Sequence, residues 1–512
     1  MKLWLVHLES FHLYVIRRLG EHGIEVTYAC AAPERLAQMA APENCILHSQ
    51  WDALGARLPA SLQGKATPRA ASAGLLDELA AGETTALLTI DRLNWKSPRI
   101  EELRRVYFDY LAMWGCLLDI SKPDAVVFQS VPHTGYDYVL YLLCRRARIR
   151  TLIVERTSIP DRQIMLEGID ERPRPPPGAL EALLRGPTGS SAKANTGPDY
   201  YEARNRLVLA RGKERFTEWN LVKLIARTAA SFAYQFVRRP FRLREPLRAS
   251  IHGLEDKVPS LLQYQWRYSL DTIRMGWLRL YYEQRTAEPD PAESYVYFPL
   301  HHQPERSSVP MGLRYSDQLL AIRTIADALP PGWLVYVKEH PRQFTDNHMR
   351  SLLARNRQFY DRLQRIQRVR LISARVPADE LVARSKCTAT VAGSAGWEAV
   401  AKGVPVIAFG APWYRFCPGV EGVASVADCA EVFRRISSGE FRVDTALVQA
   451  YRQWIATDGS FKGFPSGIFA QQAGLTLEEN GRSYADEIAR RLGAPGRAVP
   501  AQAIPSADLV RL

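Results

Sequence analysis

The sequence predicts an α/β protein: two Rossmann-like domains facing a cleft, with a helical insertion. Three observations predict it. Short, near-continuous apolar runs alternate with helix-length segments at the N-terminus and again after residue 290, as expected of parallel strands covered on both faces. A stretch rich in proline, glycine and small polar residues separates the two series, with ERPRPPPG and GPTGSSAKANTGP inside 171–199. Residues 200–285 then lose the strand rhythm and read as wholly helical, rich in arginine and aromatics.

In chain order, KLWLVHL (2–8) reads as a strand, 11–22 as a helix and IEVTYAC (24–30) as a second strand. A helix over 101–119 leads into the strand DAVVFQS (124–130), and a helix over 136–147 leads into RTLIVE (150–155). The second series opens with SYVYFPL (294–300) and a helix over 314–328. The turn Pro330-Pro331-Gly332 precedes the strand WLVYVKEH (333–340). VRLISA (369–374), the short helix PADELVARS (377–385), CTATVAGS (387–394), the helix GWEAVAKG and VPVIAFG (404–410) complete it. The expected divisions are 1–170, a linker and basic helical insertion over 171–290, a second domain over 291–425, and C-terminal helices and tail over 426–512. Helices within 427–492 are expected to pack across both halves.

At 512 residues the chain is long enough for two cores. Its formal charge of +13 suits an anionic partner such as a phosphate-bearing substrate or a membrane surface. Nucleic acid fits poorly, because the cations concentrate in one helical block and no helix-turn-helix or stacking platform appears. The seven cysteines are scattered without a CxxC pair, which argues against a zinc site or a disulfide framework and for reduced thiols in a cytoplasm. No secretory apolar region and no run of about 18 apolar residues occurs, so no membrane span is expected.

Chemistry-bearing residues gather where strands end. VKEHPRQF (337–344) delivers Lys338, His340 and Arg342 to a sheet's carboxyl edge, where open parallel sheets bind ligands. An imidazole and two cations there can hold a phosphate as it leaves; the plainer reading has His340 capping a turn. TATVAGSAGWEAVAKG runs a strand through Gly393-Ser394-Ala395-Gly396 into a helix start, a setting whose free N–H groups attract phosphate. Ser394 adds a hydroxyl, and Glu398, one turn on, shares its face and can accept ribose hydroxyls. FPLHHQPERSSVP (298–310) carries His301, His302, Gln303 and Glu305 on a loop stiffened by Pro304. Substrate or nucleotide contact fits His302 better than metal, since adjacent histidines rarely face one ion. In the first half, QSVPHTGYDY and VERTSIPDR place His133, Asp137, Glu155, Arg156 and Asp161 at the corresponding edge. Asp137 and Glu155 are the candidate catalytic carboxylates. Asp137 equally suits the first turn of a helix, and Glu155 an ion pair with Arg156 or Arg162.

FQSVPHTGYD, FPLHHQPE, VKEHPR and GSAGWEA, in this order, resemble the capsule polysaccharide biosynthesis family, which includes the retaining β-Kdo transferases. The resemblance spans roughly 100–170 and 290–420. It implies a GT-B fold and a glycosyltransferase using a CMP-linked sugar acid such as Kdo, without metal or further cofactor. Gln303-Pro304 and His340-Pro341 match the family's QP and HP motifs, and Ser394 its phosphate-side serine. The acceptor would be a glycan or glycolipid, and Asp137 leads Glu155 as nucleophile or base. Three other readings share such a fold: a CDP-alcohol phosphotransferase of teichoic acid type, a nucleotide-sugar 2-epimerase, and a non-enzymatic capsule export or assembly protein. The block at 200–285 matches no motif of the family. From 201 to 250 it holds 12 Lys and Arg against 4 Glu. In 220–244, Leu221, Leu224, Ile225, Phe232 and Phe236 mix with six cations, which suits contact with anionic lipid at the inner membrane face as well as a solvated helical insertion.

Overall fold

The structure is a computed structural model that describes residues 1–39, 42–92, 98–185, 215–238, 260–345, 352 and 354–493. In the first half, β1 (Lys2–Val6), α1 (His12–Glu21), β2 (Glu25–Ala31), α2 (Pro33–Leu36), β3 (Ile46–Ser49) and α3 (Gln50–Leu54) come first. They are followed by α4 (Ala73–Asp91), α5 (Ile100–Ser121), β4 (Ala125–Phe128), α6 (Tyr136–Arg146), β5 (Arg150–Arg156) and β6 (Arg162–Leu166). The strands alternate between two apolar layers. Trp4, Val6, Tyr28, Cys30, Val126, Phe128 and Ile153 face one layer. Leu3, Leu5, Val26, Ala29, Val127, Leu152 and Val154 face the other. Double-sided burial is why these segments read as unbroken apolar runs.

Three helices follow: α7 (Ala179–Arg185), α8 (Glu218–Arg238) and α9 (Leu261–Glu283). The expected linker over 171–199 therefore contains a helix, whose Leu180 is buried in the larger apolar layer. Residues 186–214 and 239–259, parts of the expected linker and helical block, lie outside the described residues.

The second half runs β7 (Ser294–Pro299), α10 (Gln318–Ala328), β8 (Trp333–Lys338), α11 (Arg357–Arg365), β9 (Val369–Ile372) and α12 (Ala378–Arg384). It continues through β10 (Cys387–Thr390), α13 (Ser394–Val400), β11 (Val406–Ala408), β12 (Val420–Gly422) and α14 (Val426–Ser437). α10 begins at Gln318, later than the expected 314, because Asp317 caps it after a short turn over Leu313–Tyr315. The chain ends in α15 (Thr445–Trp454), β13 (Phe461–Lys462), α16 (Gly467–Gln472) and α17 (Leu477–Leu492).

Two sheets result, in the orders β13-β6-β5-β4-β1-β2-β3 and β12-β11-β10-β7-β8-β9. The second is parallel throughout; the first is parallel from β5 to β3, with β6 antiparallel to β5 and β13 antiparallel to β6. In each sheet the chain winds outward one way from a founding strand, then returns and winds the other way. The reversal falls between β1 and β4, and between β7 and β10. These are the topological switch points, where ligands of doubly wound sheets bind.

The C-terminal elements divide between the halves. α14 packs its Cys429, Val432 and Phe433 into the second sheet's core. β13 joins the first sheet, and α17 lies on α1, with Tyr484 against Phe11 at a 4.9 Å centroid distance. Gly481 makes that approach possible. A Cβ there would lie 2.6 Å from Tyr14 Cβ and 2.8 Å from the carbonyl oxygen of Phe11. Gly481→Leu is expected to lower stability by about 1–3 kcal/mol through overpacking. Gly115→Ala, inside α5 with open space around it, should raise stability by about 0.5–1 kcal/mol. Denaturant titration of the two variants checks both signs.

Candidate active site at the two switch points

At the first switch point, β1 ends at Val6 and delivers His7, whose φ of 67° is left-handed for a residue that bears a side chain. Such backbone costs about 1–3 kcal/mol and persists where the surroundings enforce it. Here the enforcing contact is a 2.9 Å bond from His7 Nε2 to Asp137 Oδ2, across the sheet's reversal. Asp137 sits in the first turn of α6 and is fully buried. Its Oδ2 also accepts the backbone N–H of His133 at 3.0 Å, and its Oδ1 that of Thr134 at 2.7 Å. Burial opposes ionisation of Asp137, but the hydrogen bonds it accepts from His7 and from the Thr134 N–H hold its carboxyl well below the usual range. An ionised Asp137 can only accept, so His7 Nε2 carries the proton and Nδ1 holds the lone pair in the neutral ring. The Tyr136 hydroxyl lies 3.2 Å from His7 Nε2 and 3.4 Å from Nδ1, and the His7 side chain keeps 17% of its surface open.

His133 stands beside this pair. Its Nδ1 donates to the Val131 carbonyl at 2.5 Å, which leaves Nε2 as an acceptor. Burial and the charge of Arg92 push its pKa down to about 3, so the ring is neutral. Glu155, at the end of β5, is also buried, and its partner is Arg172 at 3.2 Å, not Arg156 or Arg162. Neither side chain of that pair is more than 4% exposed. Burial raises the Glu155 pKa, and the charges of Arg172 and Arg306 oppose the rise.

The second switch point is built around His301 and an ion pair. His301 Nε2 lies 3.3 Å from the N–H of Val391 and 3.4 Å from that of Ala392, so it accepts from the chain just past β10. Burial lowers its pKa to about 4. Gly393 is required beside it, because a Cβ there would fall 2.8 Å from the His301 ring. Glu339 and Arg355 pair at 2.8 Å with no exposed side-chain surface. Arg355 also bonds the Gln303 side-chain oxygen and, at 3.2 Å, the His301 carbonyl. Glu339 accepts the Tyr360 hydroxyl at 2.9 Å and the His340 N–H at 2.9 Å. Gln303 and Gln343 exchange two bonds, Gln303 N to Gln343 Oε1 at 2.8 Å and Gln343 Nε2 to the Gln303 carbonyl at 3.0 Å. The loops after β7 and β8 are thus one bonded unit.

His340 caps the turn Pro341–Phe344: its Nδ1 accepts the Arg342 N–H at 3.1 Å. The plainer reading of this residue therefore describes its geometry, and that geometry also fixes its chemistry. With Nδ1 accepting, the ring proton sits on Nε2, which makes no hydrogen bond among the described residues. Burial and the charges of His302, Arg342 and Lys338 hold its pKa well below the usual value, so Nε2–H is a neutral donor. The His302 ring stands 5.9 Å from it. Lys338 is buried; its pKa falls to about 8 through burial, against attraction from Glu283 and Asp379. Ser394 and Glu398 are exposed at the start of α13, joined by a 3.3 Å bond from Ser394 Oγ.

The two switch points share a cleft. The charge of Arg306, on the loop after β7, acts on both His133 and Glu155 of the first half. A cavity of about 270 Å³ is lined by Leu88, Asp91 and Arg92 from the end of α4 and by Gln303, Pro304 and Arg355 from the second half. Sequence reasoning missed His7, Glu339, Arg355, Arg306 and Arg172. Glu339 lay inside a segment already singled out, and its burial between two exposed-type residues left no signal in the pattern. No group of three or more His, Cys, Asp or Glu side chains is placed to hold a metal among the described residues.

These features define a doubly wound, two-sheet α/β protein whose buried histidines and ion pairs gather at the two switch points. Residues 312–460 match the family described as capsule polysaccharide biosynthesis protein; the match takes in VKEHPR and GSAGWEA, in agreement with the resemblance those two motifs carry, and begins after β7 and the His301–Arg306 loop. No curated protein matches the chain as a relative. Among solved structures, the chain is similar to the UDP-GlcNAc 2-epimerase of Methanocaldococcus jannaschii at 14% identity, covering 96% of this chain and 99% of that one, with a TM-score of 0.20. It is also similar to Thermosulfurimonas dismutans KpsC, beta Kdo 2,4 transferase, at 13% identity, covering 67% and 82%, with a TM-score of 0.27. The beta Kdo 2,7 transferase of the same organism's KpsC gives 11% identity, 73% and 89% coverage, and a TM-score of 0.29.

The buried histidines set a pH dependence. His12, His48 and His301 each have their pKa lowered by burial to about 4. Below the unfolded value near 6.5 the unfolded chain binds protons that the folded one does not, so stability is full above that pH and falls toward pH 4. The slope is about 1.4 kcal/mol per pH unit for each such group. Denaturation measured between pH 7 and 4 should show this loss, and His301→Asn should remove one histidine's share of the slope.

Proposed function

We propose that the protein is a glycosyltransferase of surface polysaccharide assembly, moving a sugar from a CMP-linked sugar acid such as Kdo to a glycan or glycolipid acceptor. The observation that carries this reading is the arrangement of the cleft: a neutral imidazole donor, His340, among cations at one switch point and a carboxylate-held imidazole, His7, at the other. The family match over 312–460 supports the polysaccharide setting.

In this reading the donor lies against the second half. His340 Nε2–H, the Ser394 hydroxyl and the backbone N–H groups at the start of α13 bind its phosphate, and Glu398 accepts the ribose hydroxyls. Lys338 and Arg342 supply positive field, Gln303 shapes the loop that carries His302 toward the sugar, and His133 faces the sugar from the first half. The acceptor enters from the first half. His7 Nδ1 takes the acceptor hydroxyl's proton as its oxygen bonds to the anomeric carbon. The bond from that carbon to the donor phosphate breaks, and CMP departs with the electron pair. Asp137 holds His7 in the required tautomer and stabilises the imidazolium. A covalent route through Asp137 would need an open carboxylate oxygen, whereas both oxygens are enclosed and bonded. Glu155, paired to Arg172, remains the second carboxylate of the cleft.

His7→Ala and Asp137→Asn should each lower kcat by about 10²–10⁴ while donor affinity persists. Intact mass of His7→Ala incubated with donor should show no sugar adduct; an adduct on Asp137 would make that residue the nucleophile. His340→Ala should weaken donor binding by about 1.5–3 kcal/mol, the loss of a hydrogen bond to a charged group. Unchanged nucleotide affinity in both His340→Ala and Ser394→Ala, measured by calorimetry, would move the donor site elsewhere.

A further inference from the structure

We propose that the outward face of α8 docks this protein reversibly on an anionic lipid surface. α8 is apolar on two sides. Its inner side holds Leu221, Leu224, Ile225 and Phe232 at helical spacing. Leu221 and Leu224 crowd Gly276 of α9, and Phe232 meets Trp266 at 5.6 Å. These residues, read from the sequence as one side of a lipid-facing surface, are turned toward α9 instead. Phe236 and three of the six cations of 220–244 (Arg239, Arg242 and Arg244) lie beyond the described side chains, as does the side chain of Arg238.

The opposite side of α8 carries Trp219, Val222, Ala226, Ala230, Ala233 and Val237. Their spacings of three and four residues make a single stripe along the helix. Trp219 is 64% exposed, Val222 52% and Val237 80%. A helix with apolar residues all round is ordinarily covered on all sides. Here the stripe is bordered by exposed Lys223 and Arg227, and Lys223 Nζ stands 5.3 Å over the Trp219 ring. The other two exposed tryptophans among the described residues lie on the neighbouring α9, the second helix of the pair: Trp277, and Trp266, whose ring also meets Phe232. The exposed surface of the pair is almost free of carboxylate. Asp271 is buried and answered by Arg267 at 2.6 Å and Arg274 at 3.0 Å, and Glu283 is buried. Glu218 is the one exposed acid on the described part of the two helices.

Charge chooses the occupant. A second copy docked through the same face would set Lys223 and Arg227 against like charges with no carboxylate row to answer them. A bilayer surface carrying anionic headgroups answers them, while indole rings settle at the headgroup level and the small residues between them allow shallow insertion. No described helix is long and apolar enough to cross a membrane, so contact would be along the surface. The readout of the proposal is lipid binding, so it is judged apart from any transfer activity.

The test is sedimentation of the full-length protein with vesicles of pure phosphatidylcholine or of phosphatidylcholine with phosphatidylglycerol, at low and high salt. Binding is expected only to the anionic vesicles, weakened about tenfold or more at high salt. Trp219→Ser with Val237→Ser should lower partitioning by about tenfold or more with an unchanged melting temperature. Lys223→Glu with Arg227→Glu should abolish the preference for anionic lipid. A protein that stays in solution with anionic vesicles at low salt overturns the proposal, as does binding that the Trp219→Ser and Val237→Ser pair leaves unchanged. Concentration-dependent self-association lost in that same variant would assign the face to a second copy and overturn it equally.

Discussion

The ion pair between Glu339 and Arg355 is the constraint on which the second half's ligand edge depends. Neither side chain reaches solvent. Two charges removed from water are tolerated only when each is fully answered. Glu339 is answered by Arg355, Tyr360 and the His340 N–H; Arg355 by Glu339, the Gln303 amide and the His301 carbonyl. Satisfying both charges forces the loop after β7 and the loop after β8 into one arrangement. His301 is then set against the chain leaving β10, and His340 is turned so that its Nδ1 caps and its Nε2 is left to donate. Gln303 is spent within this unit, so its part is to hold the loop in place.

The two switch points are electrostatically unlike. The second is lined by imidazoles kept neutral through burial and neighbouring cations. Neutral N–H donors with cations behind them suit a phosphate, because the donors need no proton exchange and the field remains positive. The first holds an ionised carboxylate whose one side-chain partner is His7. Arg306 reaches across and acts on both His133 and Glu155, so the field of one half enters the chemistry of the other. The strained backbone at His7 lies where the proton-handling group is proposed, which is where a fold has reason to keep strain.

Much of the fold was legible because doubly covered strands must be apolar on both faces. β1, β2, β4, β5, β7, β8 and β10 all stood out as runs, with ends within a few residues of their bounds. β6 was missed because it is an antiparallel edge returning directly from β5, and RQIML is too short to stand out. α4 was missed because its alanines and threonines blur the apolar stripe. Loop ends after strands were singled out because the topology of a doubly wound sheet sends ligands there, and the structure does bring buried polar groups together at those ends. Partners were not legible. His7 and Asp137 are 130 positions apart and meet only because β1 and β4 are neighbours. Glu155 finds Arg172 for a similar reason, past the hairpin that β5 and β6 form.

The most direct measurement is a double-mutant cycle on Glu339→Gln and Arg355→Met, read as stability and as affinity for whichever of CMP, CDP, UDP or GDP raises the native melting temperature. The account predicts that each single variant loses about 3–5 kcal/mol of stability, because it strands a buried charge, while the double variant recovers a large part of that loss. Nucleotide affinity should fall in both single variants, since the loops after β7 and β8 lose their common anchor. Single variants that keep native stability and native nucleotide affinity would contradict it.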